Sequence, residues 1–203
     1  RKQLSREMDS VISEIEETLT YPCFIKPSNA GSSVGVSKAH DRDELVAALQ
    51  LAARYDRRIL AEEFVDGWEA ECAVLGNDDP IASTVGEVLP CNEFYDYEAK
   101  YLSGDSSEVI IPARLPSEVI ETIRSYAIKA FKALDCSGLA RVDFFVRKEN
   151  NEIYINEINT MPGFTQISMY SKLWAASGMP YSQLIERLIE LALERHVDSQ
   201  REI

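Results

Sequence analysis

The sequence predicts an α+β fold in two units, on three observations. Short runs rich in Val, Ile and Phe, bounded by Gly, Pro, Asn and Asp, recur along the chain as strands. Longer segments carry apolar residues at helical spacing behind recognisable caps. No internal repeat or low-complexity tract interrupts them, and 203 residues with 45% hydrophobic side chains can bury one large core or two small ones without disulfides or metals. A smaller α+β unit over 20–90, packed against a larger antiparallel sheet with helices over 91–203, is the expected organisation.

Leu4, Met8, Val11, Ile12, Ile15 and Leu19 recur at helical spacing and predict an amphipathic helix over 4–19. The chain opens on RKQLSREMDS, without an initiator methionine and already in a helical pattern. Residues 1–19 are therefore expected to be a helix and linker from a preceding domain that also supplies the helix's partner surface. Strands follow at 22–26 and 34–38. Next comes a helix capped by Asp41, with Glu44 three residues on completing a capping box, and ending near Tyr55. RILAEEFV and EAECAVLG read as consecutive strands joined through Gly67, and PIASTVGEVLP adds another after the turn at 77–80. Residues 91–107 are polar, aromatic and rich in serine and glycine, a long loop of the kind that carries function. EVIIPA makes a short strand. Ser117 is expected to cap a helix running to Leu134 on a stripe of Val119, Ile120, Ile123, Ala127, Ala130, Phe131 and Leu134, with Gly138 as its stop. Strands at 139–147 and 152–159 meet across Asn150 and Asn151, Pro162-Gly163 breaks the chain, and helices at 167–176 and 181–196 complete it.

The net charge of −13 and pI near 4.6 argue against nucleic acid or an anionic membrane as partner, since the long-range field repels both. Any phosphate must be held locally. Cys23, Cys72, Cys91 and Cys136 form no C-x-x-C pair, so buried thiols in a reducing cytoplasm are expected in place of a zinc site or disulfides. No apolar run approaches the roughly 20 residues of a membrane span. His40 and His196 read as a loop residue and a helix-end residue.

LARVDFFVRKENNEIYINEIN carries the most chemistry. Side chains alternate along a strand, so Arg141, Asp143 and Phe145 share one face, and Ile153, Ile155, Glu157 and Asn159 share another. A hairpin centred on Asn150 pairs Asp143 with Glu157 and Arg141 with Asn159. A strict two-residue Asn-Asn turn separates those faces, so this register requires a three-residue loop or a bulge. Two carboxylates brought so close repel unless cations bridge them, and two carboxylates with an amide oxygen are hard ligands suited to Mg2+ shared with nucleotide phosphates. The plain alternative is a solvated hairpin.

SNAGSSVG matches neither common phosphate-loop signature. Gly31 and Gly35 nevertheless permit close backbone approach, Ser32 and Ser33 offer hydroxyls, and Lys26 on the preceding strand can reach α- and β-phosphate oxygens; an ordinary glycine-serine turn is the alternative. In AEEFVDGWE, Glu62 and the backbone near Val65 can read an adenine edge, Phe64 can line the base and Glu69 can take ribose hydroxyls, against the alternative of a charged edge strand. Lys100, in FYDYEAKY on the long loop, can close over a γ-phosphate.

Lysine strand, serine-glycine loop, acidic-aromatic strand, FYDYEAKY, ARVD and NEINTMPGF, in this order, resemble the ATP-grasp superfamily, and closely the D-alanine:D-alanine ligases of bacterial wall synthesis. The resemblance covers almost the whole chain. It implies two α+β subdomains with nucleotide bound between them, a cytoplasmic enzyme, ATP, and two Mg2+ ions, replaceable by Mn2+. It further implies that Lys26, Ser33, Glu62, Phe64, Val65, Glu69, Lys100 and Phe145 contact ATP. Asp143, Glu157 and Asn159 hold the metals, with Glu157 bridging. Arg141 and the Gly163 N–H stabilise an oxyanion, Ser32 and Tyr101 belong to a hydrogen-bonded triad, and Ser168 and Met169 meet the second amino acid. Two D-alanine molecules are the implied substrates, joined through an acyl phosphate, and a homodimer is implied for the full-length form.

The resemblance also implies an amino-terminal domain of roughly a hundred residues that this chain lacks, with a glutamate for the first substrate's ammonium and a second ATP-binding lysine. The full-length protein is therefore expected to be a ligase and this chain alone inactive. Variants making D-alanyl-D-lactate or D-alanyl-D-serine, other carboxylate-amine ligases of this fold, and a non-catalytic nucleotide-binding module are the rival readings.

Overall fold

In the computed structural model, which describes residues 1–31, 33–89 and 108–200, the chain divides into two units, 1–65 and 66–89 with 108–200. The first is built on α1 (Met8–Thr18), β1 (Cys23–Pro27), β2 (Ser37–Ala39), α2 (Arg42–Tyr55) and β3 (Ile59–Glu63). Its antiparallel sheet has the order β2-β1-β3. Cys23, Ile25 and Ala39 on one face of that sheet are buried with Leu45, Ala48, Leu49 and Ala52 of α2. Asp41 caps α2 by accepting the Glu44 N–H at 2.9 Å. The Glu44 carboxylate reaches back one residue further than a capping box requires, to the His40 N–H at 2.8 Å.

The second unit holds β4 (Gly67–Gly76), β5 (Ile81–Leu89), β6 (Glu108–Ile110), α3 (Ser117–Ala133), β7 (Gly138–Arg147), β8 (Ile153–Asn159), α4 (Met169–Ala176) and α5 (Tyr181–Asp198). Its antiparallel sheet runs β6-β5-β4-β7-β8. Strand alternation gives the sheet two different faces. On one, Ala70, Cys72, Val74, Ala140, Val142, Phe144 and Val146 are buried with Val119, Ile123, Ala127 and Phe131 of α3. On the other, Ala73 and Leu75 pack with Tyr170, Leu173 and Trp174 of α4 and Leu184 and Leu191 of α5. Tyr170 Oη donates to the Val74 carbonyl at 2.9 Å, and burial pushes its pKa upward. On β5, between β4 and the edge strand β6, the Glu87 carboxylate, 1% exposed, accepts from Arg114 Nη2 at 2.6 Å, Nε at 3.0 Å and the Arg114 N–H at 3.2 Å.

Several expectations change. The sequence places the division at 90/91, whereas it falls at Val65/Asp66. EAECAVLG and RILAEEFV, consecutive along the chain, lie in different sheets: β4 hydrogen-bonds to β5 and β7, and β3 pairs with β1. The helix assigned to a preceding domain is shorter, starting at Met8, and packs within the first unit. Ile12 is buried there, Met8, Val11, Ile15 and Leu19 pack on the same core, and Arg42 of α2 pairs with Glu16. Ser117 is the first residue of α3, with Pro116 at the capping position and no side-chain cap bond. The helix stops at Asp135, whose φ of +52° lets Cys136 N–H reach the Phe131 carbonyl at 3.0 Å; Gly138 instead begins β7. The strand expected at 34–38 begins only at Ser37, because the left-handed Ser33 and Gly35 prolong the turn. Among the described residues no helix is long and apolar enough to cross a membrane.

Candidate active site

In the first unit the residues facing away from α2 form a charged and aromatic face. Phe24 lies between Lys38 on β2 and Glu62 on β3, and Lys26 extends the same face. Lys26 Nζ pairs with Glu62 Oε2 at 2.8 Å, the side chains being 19% and 39% exposed. Phe64 stacks 6.3 Å from Phe24, and Lys38 Nζ sits 4.3 Å from the Phe64 ring centre. An ammonium carries three donors, so it can meet more than one anionic oxygen at a time. Lys38 and Phe24 were absent from the sequence reading, since only the β2-β1-β3 register brings them beside Phe64. The loop after Lys26 is tied down at its start: the Asn29 N–H and side-chain amide both donate to Asp56 Oδ2 at 2.9 Å, and Arg58 N–H donates to Oδ1 at 3.1 Å. Those backbone and side-chain bonds, the Arg58 N–H first among them, hold the Asp56 carboxyl below the usual range. Ser33 lies in this loop at φ +58°, and Val65 follows β3, half-buried. Ser32, Lys100 and Tyr101 lie outside the described residues.

In the second unit a polar row crosses three strands on the same face as α4 and α5, continuing from Ala73, which those helices cover. Glu71 on β4 pairs with Asp143 on β7, which pairs with Glu157 on β8; one step along, Ala73, Arg141 and Asn159 line up in the same way. The hairpin reaches this register by two compensating irregularities. Its loop is four residues long, closed by Arg147 N–H to the Glu152 carbonyl at 2.9 Å with Asn151 at φ +58°. A bulge between Asp143 and Phe144 then shifts the pairing by one, with Asn156 the extra residue on β8. The sequence required a three-residue loop or a bulge; the chain uses a four-residue loop, which overshoots by one, and a bulge that restores the register.

Arg141 grips Asp143 with two parallel bonds, Nε to Oδ1 and Nη2 to Oδ2, both 2.7 Å. Its Nε also lies 3.1 Å from Glu71 Oε2. The three side chains are only 14–20% exposed. Burial opposes the guanidinium's charge, yet the Asp143 bonds and the charges of Glu71, Asp143 and Glu157 outweigh it and push the Arg141 pKa up. Glu71 escaped the sequence reading. The alternation of Glu69 and Glu71 with Ala70 and Cys72 was visible, but the pairing of β4 with β7 was not.

Among the described residues no group of three or more His, Cys, Asp or Glu side chains is gathered as a metal cage. The donor set Asp143, Glu157 and Asn159 fits a hard cation that keeps water and takes its remaining ligands from phosphate. Each Asp143 oxygen has a second lone pair beyond the one given to Arg141, and Asn159 Oδ1, oriented by the Met161 N–H at 3.0 Å, has the same. Phe145 shares the Asp143 face, opposite Glu69 on β4. Gly163 and Ser168 are neighbours, since a Cβ on Gly163 would lie 3.4 Å from Ser168 Oγ. That hydroxyl is held by the Thr165 N–H at 3.1 Å and by Thr165 Oγ1 at 2.8 Å, at the start of α4, while Met169 packs with the α4 core.

An antiparallel three-stranded unit bearing a lysine and an acidic-aromatic strand, with a second sheet carrying a carboxylate-arginine-amide row, defines an α+β protein of the ATP-grasp class. Solved structures similar to it share that fold. The D-alanine-D-alanine ligase of Coxiella burnetii is 40% identical over 95% of this chain and 50% of its own, with a TM-score of 0.82. The VanG D-Ala:D-Ser ligase of Enterococcus faecalis is 42% identical over 91% of this chain and 53% of its own, also at 0.82. Residues 1–190 match the family described as D-ala D-ala ligase C-terminus, and the chain belongs to that family. Among curated relatives, a D-alanine--D-alanine ligase of Ruminiclostridium cellulolyticum is 70% identical over all 203 residues, and one of Acetivibrio thermocellus is 64% identical over 202. The chain spans about half the length of these relatives, 54% of each.

Proposed function

We propose that the protein to which this chain contributes joins two D-alanines into D-alanyl-D-alanine with ATP, as a step in supplying peptidoglycan precursors. The observation that carries this reading is the register setting Asp143 opposite Glu157 and Arg141 opposite Asn159 on one half-buried face. In the reaction the carboxylate of the first D-alanine attacks the γ-phosphate, releasing ADP and forming an acyl phosphate. The amine of the second attacks the acyl carbon, and the tetrahedral intermediate collapses with loss of inorganic phosphate. No nucleophilic side chain is needed, so the protein's task is positioning and charge neutralisation.

The residues divide that work. Lys26 is assigned to the α- and β-phosphates, and Lys100 to the γ-phosphate. Ser33 and its loop cover the phosphates, Glu62, Phe64, Val65 and Phe145 hold the base, and Glu69 the ribose. Arg141 and the Gly163 N–H are assigned to the developing oxyanion, Ser32 and Tyr101 to a hydrogen-bonded triad completed by a glutamate from outside this chain, and Ser168 and Met169 to the second amino acid. Asp143, Glu157 and Asn159 would hold Mg2+ or Mn2+, two ions in all, which supply charge neutralisation at the phosphates. The protein is placed in the cytoplasm as a homodimer. This chain alone, half of its relatives' length, is proposed to be inactive.

The test is calorimetric titration of ATP into the full-length protein with and without Mg2+, repeated on Glu157→Gln, alongside product analysis. The reading expects Mg2+-dependent tightening that Glu157→Gln abolishes, with dipeptide formed by the full-length protein and none by this chain. Unaltered Mg2+ dependence in the variant would instead support a module that only binds nucleotide. Likeness to a D-Ala:D-Ser ligase favours one second reading, D-serine as the second substrate. Offering D-alanine, D-serine and D-lactate side by side decides it.

A further inference from the structure

The structure assigns Glu71 as a positioning residue that holds Arg141 from the neighbouring strand, an inference that rests on the reading of Arg141 as the group meeting the oxyanion. A guanidinium is planar, and the fork on Asp143 occupies its Nε and one N–H of Nη2. Asp143 sits only two residues away on the same strand, so that fork alone lets the two side chains swing together over the sheet. Glu71 removes this freedom. Its Oε2 lies 3.1 Å from the same Nε as a charge contact from β4, the single Nε–H being given to Asp143, and the β4–β7 ladder is unbroken from Gly67↔Arg147 to Gly76↔Gly138. Two carboxylates anchored on two rigidly paired strands therefore fix one edge of the guanidinium.

The opposite edge is thereby left for substrate. The hydrogen bonds of Arg141 among the described residues come from Nε and Nη2, and the low exposure of all three side chains keeps water from competing for the gripped edge. Glu71 touches neither substrate nor phosphate in this scheme; it acts through Arg141. Its charge has a second effect. Glu71, Asp143 and Glu157 set three carboxylates against one guanidinium in the row, so the natural rival is that Glu71 serves as a further metal ligand.

The experiment compares Glu71→Ala and Glu71→Gln in the full-length protein by steady-state kinetics, thermal unfolding and crystallography. Loss of an orienting partner typically costs tenfold or more, so Glu71→Ala is expected to lower kcat about tenfold, with KM for ATP and the half-saturating Mg2+ concentration changed less than about twofold. Glu71→Gln, which keeps the volume but removes the charge facing the guanidinium, should lose kcat to a similar extent, and both should melt within a few degrees of the parent. Crystals of Glu71→Ala should show the Arg141 guanidinium turned from its present plane. Unchanged kcat, activity restored by excess Mg2+, or an unmoved guanidinium would each overturn the assignment. If the parent protein makes no dipeptide, the ligase reading falls, while the crystallographic comparison still decides whether Glu71 places Arg141.

Discussion

The Glu87–Arg114 pair yields a prediction whose size and pH dependence both follow from geometry. Glu87→Gln preserves side-chain volume and one acceptor oxygen but removes the charge and turns an NH2 group toward guanidinium donors. Hydrogen bonds to charged groups contribute about 1.5–3 kcal/mol each and neutral ones about 0.5–1.5. The two side-chain bonds, at 2.6 and 3.0 Å, thus put the loss near 2 kcal/mol once reduced for the 59% exposure of Arg114. In a chain of this size that corresponds to a melting temperature about 4–8 °C lower at pH 7. The Arg114 bonds hold the Glu87 carboxyl below the ordinary glutamate range. Its stabilisation is therefore fully present above the unfolded value of about 4.3 and is lost as pH falls through the lower folded value. Urea unfolding of parent and variant at pH 7, 5, 4 and 3 should show the gap constant at the first two and closing at the lower ones, because protonated glutamate and glutamine are then nearly equivalent. A gap as wide at pH 3 as at pH 7, or one under about 0.5 kcal/mol at pH 7, would refute the reasoning.

Phe131, fully buried between α3 and the second sheet, should cost about 3–5 kcal/mol as Phe131→Ala in the same urea assay. Gly35→Ala should destabilise the first unit by at least about 1 kcal/mol, since Gly35 has φ +75° and a Cβ there would meet Tyr55 Cδ2 at 2.5 Å. Adding Tyr55→Ala should recover the steric part of that loss but not the backbone part, a coupling read by a double-mutant cycle. Burial pushes the Cys72 thiol up to about 12, so alkylation at pH 8 should be slow in the native protein and fast in urea. Equal rates by mass spectrometry would contradict that burial.

Local order decided much of this protein. Period-two alternation was enough to put Arg141, Asp143 and Phe145 on one face, and Asp41 followed by Glu44 was enough to start α2, because both effects involve residues a few positions apart. Even the Asp143–Glu157 pairing could be written down from the hairpin, although the four-residue loop and the bulge that achieve it could not. What lay beyond the sequence were contacts between elements distant along the chain. Glu71 could be seen as a residue of a strand, but its place beside Arg141 depends on β4 choosing β7 over β3, a pairing across some 70 residues that no local preference encodes. The burial of α1 on α2 is of the same kind: the apolar stripe announced that the helix needed a partner, and only packing in three dimensions determined which surface met it.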